Sequence, residues 1–273
     1  MVRFVQKVRR TLKKPKRDQL RIVKERLYLM FAWPFLMRTS QWFLSYLAYQ
    51  PDSHVYFNAH PEFKQLFKSF TTANRICNAG DIPRLWSFIL NCKQVIDERI
   101  PGDFAELGVW RGNSAAVLAF YAERSSRSVF LFDTFEGFSG KDLAGIDDDV
   151  SPAFENTSIA MVRRVIGLSN SCCHYVQGHF PASIQETHRS RSYAVVSLDC
   201  DLYEPTRAGL DFFYARMAEG GIFFLHDYSS MYWAGAKQAI DEFCRATGEF
   251  LILMPDKSGS AFFRKSKTLV SGV

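Results

Sequence analysis

The run Tyr193-Ala194-Val195-Val196-Ser197-Leu198-Asp199-Cys200-Asp201-Leu202-Tyr203 is apolar and β-branched, and it ends in two carboxylates one residue apart. Its composition and bounds predict a buried strand over Ala194–Asp199. Residues i and i+2 of a strand face the same side, so Asp199 and Asp201 are expected to project together where the strand stops. In an open α/β sheet that carboxyl edge is where ligands bind. Two adjacent negative charges are costly unless a cation or a proton separates them. A solvated strand end with turn chemistry is the plainer alternative, and this stretch alone does not choose.

Outward from it, apolar runs alternate with helical patterns from Asp81 onward. Strands are predicted at Phe104–Leu107, Val129–Asp133, His174–Gln177, Ala194–Asp199, Ile222–His226, Phe250–Met254 and Ser260–Arg264. Helices are predicted at Ser114–Arg124, Glu155–Gly167, Pro181–His188, Pro205–Met217 and Ala234–Thr247. Before them, Asp81 can cap a helix reaching Glu98, with Leu85, Phe88, Ile89, Cys92 and Ile96 on one stripe. This order predicts an α/β fold: a doubly wound, seven-stranded, mostly parallel sheet. The last two strands, joined only by Pro255–Gly259, form an antiparallel hairpin that a plain dinucleotide fold lacks.

The first strand runs into Glu106-Leu107-Gly108-Val109-Trp110-Arg111-Gly112-Asn113-Ser114. Gly108 and Gly112 make a strand-to-helix turn that a ligand can approach, and Asn113 or Ser114 can cap the next helix. The spacing E-x-G-x-x-x-G is not the G-x-G-x-x-G of pyrophosphate binders and suits a carboxylate tail better. Asp133 ends the second strand, where a carboxylate can accept both ribose hydroxyls of a nucleoside. The turn Gln177-Gly178-His179-Phe180-Pro181 stands beside the expected adenine end, with His179 more simply a surface residue. The fifth strand ends in His226-Asp227-Tyr228, so Asp199, Asp201, His226 and Asp227 can share one cleft edge as a metal site or an acid–base cluster.

The net charge of +6 is unevenly spread. Residues 1–27 are a basic arm with eleven Lys/Arg against Asp18 and Glu25, net +9, which leaves 23 bases and 26 acids, net −3, for the rest. A nucleic-acid face on the main body is therefore not expected. Residues 28–70 read as an apolar and aromatic helical extension, broken near its start by Pro34 and Arg38, and 71–273 as the main domain. Arg38 argues against a spanning helix. A polybasic arm beside Trp and Phe suits docking of residues 1–50 on an anionic membrane surface, or packing on the protein itself or on a twin subunit in a homodimer. The six cysteines show no metal spacing and no CxxC pair, and free thiols are expected, with Cys172 and Cys173 pointing to opposite faces. With no signal peptide visible, a cytoplasmic protein, peripheral at the inner face of the membrane, is the expectation.

The stretch Ile100-Pro101-Gly102-Asp103-Phe104-Ala105-Glu106-Leu107-Gly108-Val109-Trp110-Arg111-Gly112, with Asp133-Thr134-Phe135-Glu136-Gly137, Leu198–Glu204 and Asp227-Tyr228, resembles the macrocin O-methyltransferase family. The resemblance covers roughly Thr71 to Arg264. It implies the class I methyltransferase fold, S-adenosylmethionine as methyl donor, a magnesium ion, and a sugar hydroxyl of a glycan, glycolipid or glycosylated natural product as acceptor. Carried over residue by residue, Glu106, Gly108, Gly112, Ser114, Asp133 and Gly178 would hold the cofactor. Asp199 and Asp227 would ligate the metal, and Asp201 would be the general base. The family usually has D-D-Y where this chain has His226-Asp227-Tyr228. His226 is accordingly a third ligand or a group behind the ligands, or itself the base of a metal-free version. Magnesium prefers oxygen, whereas imidazole suits zinc, manganese or iron, so another divalent ion is an open alternative.

Two rivals remain at this level: a phenolic or catechol O-methyltransferase, and a cofactor-binding adaptor without catalysis. The insert Phe138–Phe154 reads as a lid over the acceptor, its acids Asp142 and Asp147-Asp148-Asp149 expected to be solvated.

Overall fold

The computed structural model describes residue 27, residues 62–72, and residues 81–266 apart from Ser139, Lys141 and Pro152. The basic arm, the Pro34/Arg38 segment and the membrane-docking expectation for residues 1–50 lie outside these, residue 27 excepted.

The sheet is built from β1 (Asp103–Leu107), β2 (Val129–Asp133), β3 (Cys173–Gln177), β4 (Tyr193–Leu198), β5 (Met217–Leu225), β6 (Ile252–Leu253) and β7 (Ala261–Arg264). Their order is β3-β2-β1-β4-β5-β7-β6. The first five are parallel, and β7 runs antiparallel to both β5 and β6. Every residue of β4 is buried, as a central strand covered on both faces requires. The doubly wound sheet with its closing hairpin is thus present as the sequence predicts.

The helices are α1 (Glu62–Thr72), α2 (Ile82–Asp97), α3 (Asn113–Arg124), α4 (Ile159–Ile166), α5 (Glu186–Arg189), α6 (Tyr203–Tyr214) and α7 (Ala234–Thr247). Strand alternation sorts the interior into two layers. On one face Phe104, Val195, Ile222 and Phe224 pack with α1, α2 and α3; on the other Ala105, Leu107, Val196, Leu198, Phe223 and Leu225 pack with α6 and α7. Phe88 of α2 stacks on Phe224 with ring centroids 4.1 Å apart. Helix α1 runs across the expected 70/71 boundary, and its Phe63, Leu66 and Phe70 enter the first layer. Each such side chain contributes about 1.5–3 kcal/mol on full burial.

Several local expectations shift. Helix α3 has Gly112, not Asn113 or Ser114, at its cap position, and no side chain caps it. Asn113 instead donates to the Phe70 carbonyl at 2.8 Å, and Ser114 bonds to Glu106. Helix α4 begins only at Ile159, because Ser158 caps it by accepting from the Met161 amide. Strand β4 stops at Leu198 and Asp201 has φ +64°, so Asp199 and Asp201 are brought together by a turn and not by the pleat. Cys172 and Cys173 do not point apart: both thiols reach the Ser169 carbonyl, at 3.2 and 3.6 Å, because Cys172 closes a 3-10 turn before β3 begins.

Candidate active site

The carboxyl ends of β1, β2, β4 and β5 open into one cavity of about 720 Å³. On its β1 side, Gly108 has φ +86°, and a Cβ there would collide with the Asp199 carbonyl. Only glycine lets the turn lie this close to the end of β4. Asp133 clamps the turn from β2, its Oδ2 accepting the amides of Val109 (2.7 Å) and Trp110 (2.8 Å) and its Oδ1 that of Phe135 (2.6 Å). An ionised carboxylate has about four acceptor positions. Three of these go to the chain itself, and Asp133 still lines the cavity.

Gly108, Ser114, Asp133 and Gly178 line the cavity; Glu106 and Gly112 do not. Glu106 is fully buried beneath the turn, on the α2–α3 face of β1, and accepts from the Ser114 hydroxyl. Burial pushes its carboxyl up to about 8, against the pull of that hydrogen bond. A Cβ on Gly112 would meet Val162 of α4, which makes it a packing glycine.

Beyond β4 and β5, one donor atom from each of Asp199, Asp201, His226 and Asp227 lies within 4.8 Å of the others. His226 and Asp199 share the α2 face of the sheet because each extends its strand in alternation. The His226 Nδ1 sits 2.7 Å from Asp199 Oδ1 and 2.7 Å from Asp227 Oδ2. Neither oxygen lies where an N–H would point, so this buried nitrogen has no hydrogen-bond partner. Four donor groups converging within 4.8 Å are of a kind that could hold one cation. The donor set, carboxylate oxygens with one imidazole, fits a divalent ion of the manganese, iron or zinc kind better than magnesium.

The electrostatics divide the cluster. Burial pushes Asp199 up, but His226 and Arg84 outweigh it and hold the carboxyl down to about 2. Burial, then the charges of Asp227 and Asp199, push Asp201 well above the usual carboxylate range. Burial and Arg84 oppose a charge on His226, yet Asp199 and Asp227 prevail and push the imidazole up.

One residue here is not singled out from the sequence, and another is buried where solvation is expected. Arg84 of α2 is buried and donates to Asp199 Oδ2 at 2.9 Å, which fixes that carboxylate from below. The signal was present: a lone arginine stands four residues before Phe88 on the otherwise apolar stripe. Asp147 was expected to be solvated with the other acids of the insert. It is buried, because its Oδ2 accepts the Tyr203 amide (2.7 Å) at the start of α6. Asp142 is not free either: it lines the cavity and stands 3.4 Å from the His179 ring. The amide of Phe138 donates to the Ala153 carbonyl and closes the insert at its neck.

Residues 81–264 match the family described as Macrocin-O-methyltransferase (TylF). A Streptomyces olivaceus protein, 8-demethyl-8-(2,3-dimethoxy-alpha-L-rhamnosyl)-tetracenomycin-C 4'-O-methyltransferase, is 30% identical over 148 residues, covering 50% of this chain and 56% of its own. Demethyldecarbamoylnovobiocin O-methyltransferase of Streptomyces niveus is 30% identical over 175 residues, 59% of this chain and 65% of its own. The chain thus spans less than two thirds of these relatives' lengths. Among solved structures, the O-methyltransferase NovP superposes with a TM-score of 0.58 at 24% identity, over 68% of this chain and 81% of its own. The calicheamicin methyltransferase CalS11 superposes with 0.53 at 21% identity, over 75% and 93%. These two likenesses establish the fold as that of class I methyltransferases.

Proposed function

The chain belongs to the macrocin O-methyltransferase family, and from that premise we propose that it is an S-adenosylmethionine-dependent O-methyltransferase acting on a sugar hydroxyl, assisted by a divalent cation. The observation that carries this reading is the convergence of Asp199, Asp201, His226 and Asp227 in the same cavity as the Gly108 turn and Asp133. The named activities of the relatives, methyl transfer to oxygens of glycosylated natural products, support the acceptor class.

Methyl transfer from a sulfonium is an in-line displacement, so the protein must align the two reactants and remove a proton. Alignment of well-placed groups is worth roughly 7–11 kcal/mol. The turn Gly108–Gly112, Ser114, Asp133 and Gly178 hold the donor, with Glu106 supporting Ser114 from beneath. Asp199, Asp227 and His226 would hold the cation, which would supply the positive charge that lets several carboxylates stay ionised together and would make a nearby hydroxyl easier to deprotonate. Asp201 takes the hydroxyl proton, its raised proton affinity being the direction a general base needs. Arg84 keeps Asp199 oriented.

A metal-free version, with His226 as base oriented by the carboxylates, shares this geometry. Assay after chelation, with manganese, zinc and magnesium restored separately, decides between them. Loss on chelation with recovery by manganese is expected; full turnover in chelator removes the cation.

No helix among the described residues is long and apolar enough to cross a membrane. For residues 1–50, whose first 27 carry net +9, docking on anionic lipid is the proposed role. Co-sedimentation with anionic vesicles should be lost on deleting 1–50, and equal binding by both forms would reject it.

A further inference from the structure

Resting on the active-site reading, we infer that a buried water held by Ser260 lies behind His226. Ser260 is thereby a positioning residue that keeps the imidazole Nδ1 turned toward Asp199 and Asp227. Nothing in the carboxylate cluster accounts for the other ring nitrogen. Nε2 is buried and has no hydrogen-bond partner, and neither has the Ser260 hydroxyl. The closing hairpin sets the two residues side by side. In the antiparallel pairing of β5 and β7, Phe224 stands opposite Phe262 and Leu225 opposite Ala261. One step further along the same register, His226 faces Ser260, on the α2 side of the sheet that Phe224 and Phe262 already occupy. The backbone of Ser260 is fixed there: its amide donates to Asp256 Oδ1 at 2.7 Å, and its carbonyl accepts from the Met254 amide at 2.9 Å.

Both side chains belong to the lining of a second, small cavity of about 10 Å³. A space of roughly 10–15 Å³ holds one water when two to four polar groups meet it, whereas an apolar cavity stays dry. Arg84, Ser197, His226 and Ser260 form the polar part of this lining, and the stacked rings of Phe88 and Phe224 belong to the rest. Ser197 and Ser260 are 2% and 3% exposed, so bulk solvent does not serve their hydroxyls. His226 also lines the large cavity and therefore stands between the two. A histidine that ligates a cation or takes a proton needs a free lone pair on the nitrogen that does so. With Nδ1 on the carboxylate side, the ring proton belongs on Nε2, where the water accepts it and passes a bond on to Ser260 Oγ. The ring is thus fixed against a half-turn about Cβ–Cγ, which would present C–H edges to the carboxylates and to the water alike.

The test needs no turnover. The full chain, carrying isotope-labelled histidine and free of cation, is compared with Ser260→Ala by NMR, and His226→Asn identifies the ring signal. The parent should show a protonated Nε2 with a dipolar cross-peak to water, and Ser260→Ala should lose that cross-peak. By calorimetry, Ser260→Ala should bind manganese roughly 10–100-fold more weakly, the usual effect of removing an outer partner of a histidine ligand. Its affinity for S-adenosylhomocysteine should stay at the parent's value, which reports a folded chain. A parent Nε2 without a proton, or without the cross-peak, overturns the inference whatever the variant does. So does a Ser260→Ala chain that keeps either the cross-peak or the parent's measured manganese affinity. If the parent binds no manganese, the cation reading falls, and the ring signal alone decides on the water.

Discussion

Single side chains in this protein carry tasks that their charge alone does not announce. Asp201 and Asp199 are two residues apart, yet one is pushed up and the other held down, because Arg84 and His226 face Asp199 while Asp201 faces Asp227. An Asp201→Asn variant should lose roughly 10²–10⁴-fold in kcat with donor affinity retained; a near-normal rate removes it from the base role. Glu106 offers a test away from the chemistry. Unfolded, it ionises near 4.5, and folded only near 8. Between those values the folded state keeps a proton that the unfolded state has released, so stability falls as pH rises through the window. Glu106→Gln, neutral throughout, should therefore gain stability over the parent, little at pH about 5 and on the order of a few kcal/mol near pH 8. Denaturant titration at both pH values checks this, and a gap that shrinks as pH rises would refute it. Arg84 marks where residue-level reading of the chain ran short: its partner is 115 positions away.

Elements were legible where the apolar pattern is local and hidden where a distant group sets the boundary. The central parallel strands could be placed because buried strands read as uninterrupted runs, and the edge strand β3 from its bounds despite being largely unburied. Helix α6 starts at Tyr203, earlier than the Pro205 expected, because Asp147 from the insert caps it. The region 181–188 yields only the short α5, since Phe180 is drawn in against Phe132 and Phe213 and the following residues are spent on turns. Asp199, Asp201, His226 and Asp227 could be nominated because they punctuate apolar runs; Asp147, whose partner Tyr203 stands 56 positions away, could not. The Gly108 turn, proposed to hold the donor, makes its own prediction. Gly108→Ala places a Cβ against the Asp199 carbonyl in a left-handed conformation, whereas Gly145→Ala, also left-handed, meets nothing within 4 Å. Gly145→Ala should cost about 1–2 kcal/mol. Gly108→Ala should lower Tm further and abolish donor binding by calorimetry; equal Tm values for the two would contradict this account of the turn.

At the scale of the molecule, one helix outside the alternating pattern belongs to the interior. Removing residues 62–80 in addition to 1–61 strips Phe63, Leu66 and Phe70 from the first layer, at roughly 1.5–3 kcal/mol each. It also takes the Phe70 carbonyl from Asn113, a cavity residue. Thermal unfolding should therefore show a clear drop in Tm for the longer deletion relative to the shorter, and identical curves would make α1 dispensable. The shorter deletion has a practical use. Of the five tryptophans it removes Trp33 and Trp42, leaving Trp86, sealed in the core at 4% exposure, with Trp110 and Trp233 in the cavity wall. Two indoles then emit from the pocket and one from a dry interior that no ligand reaches. The protein thus carries a built-in optical gauge: quenching or a blue shift of the wall pair, read against the constant third emitter, reports filling of the pocket without any label.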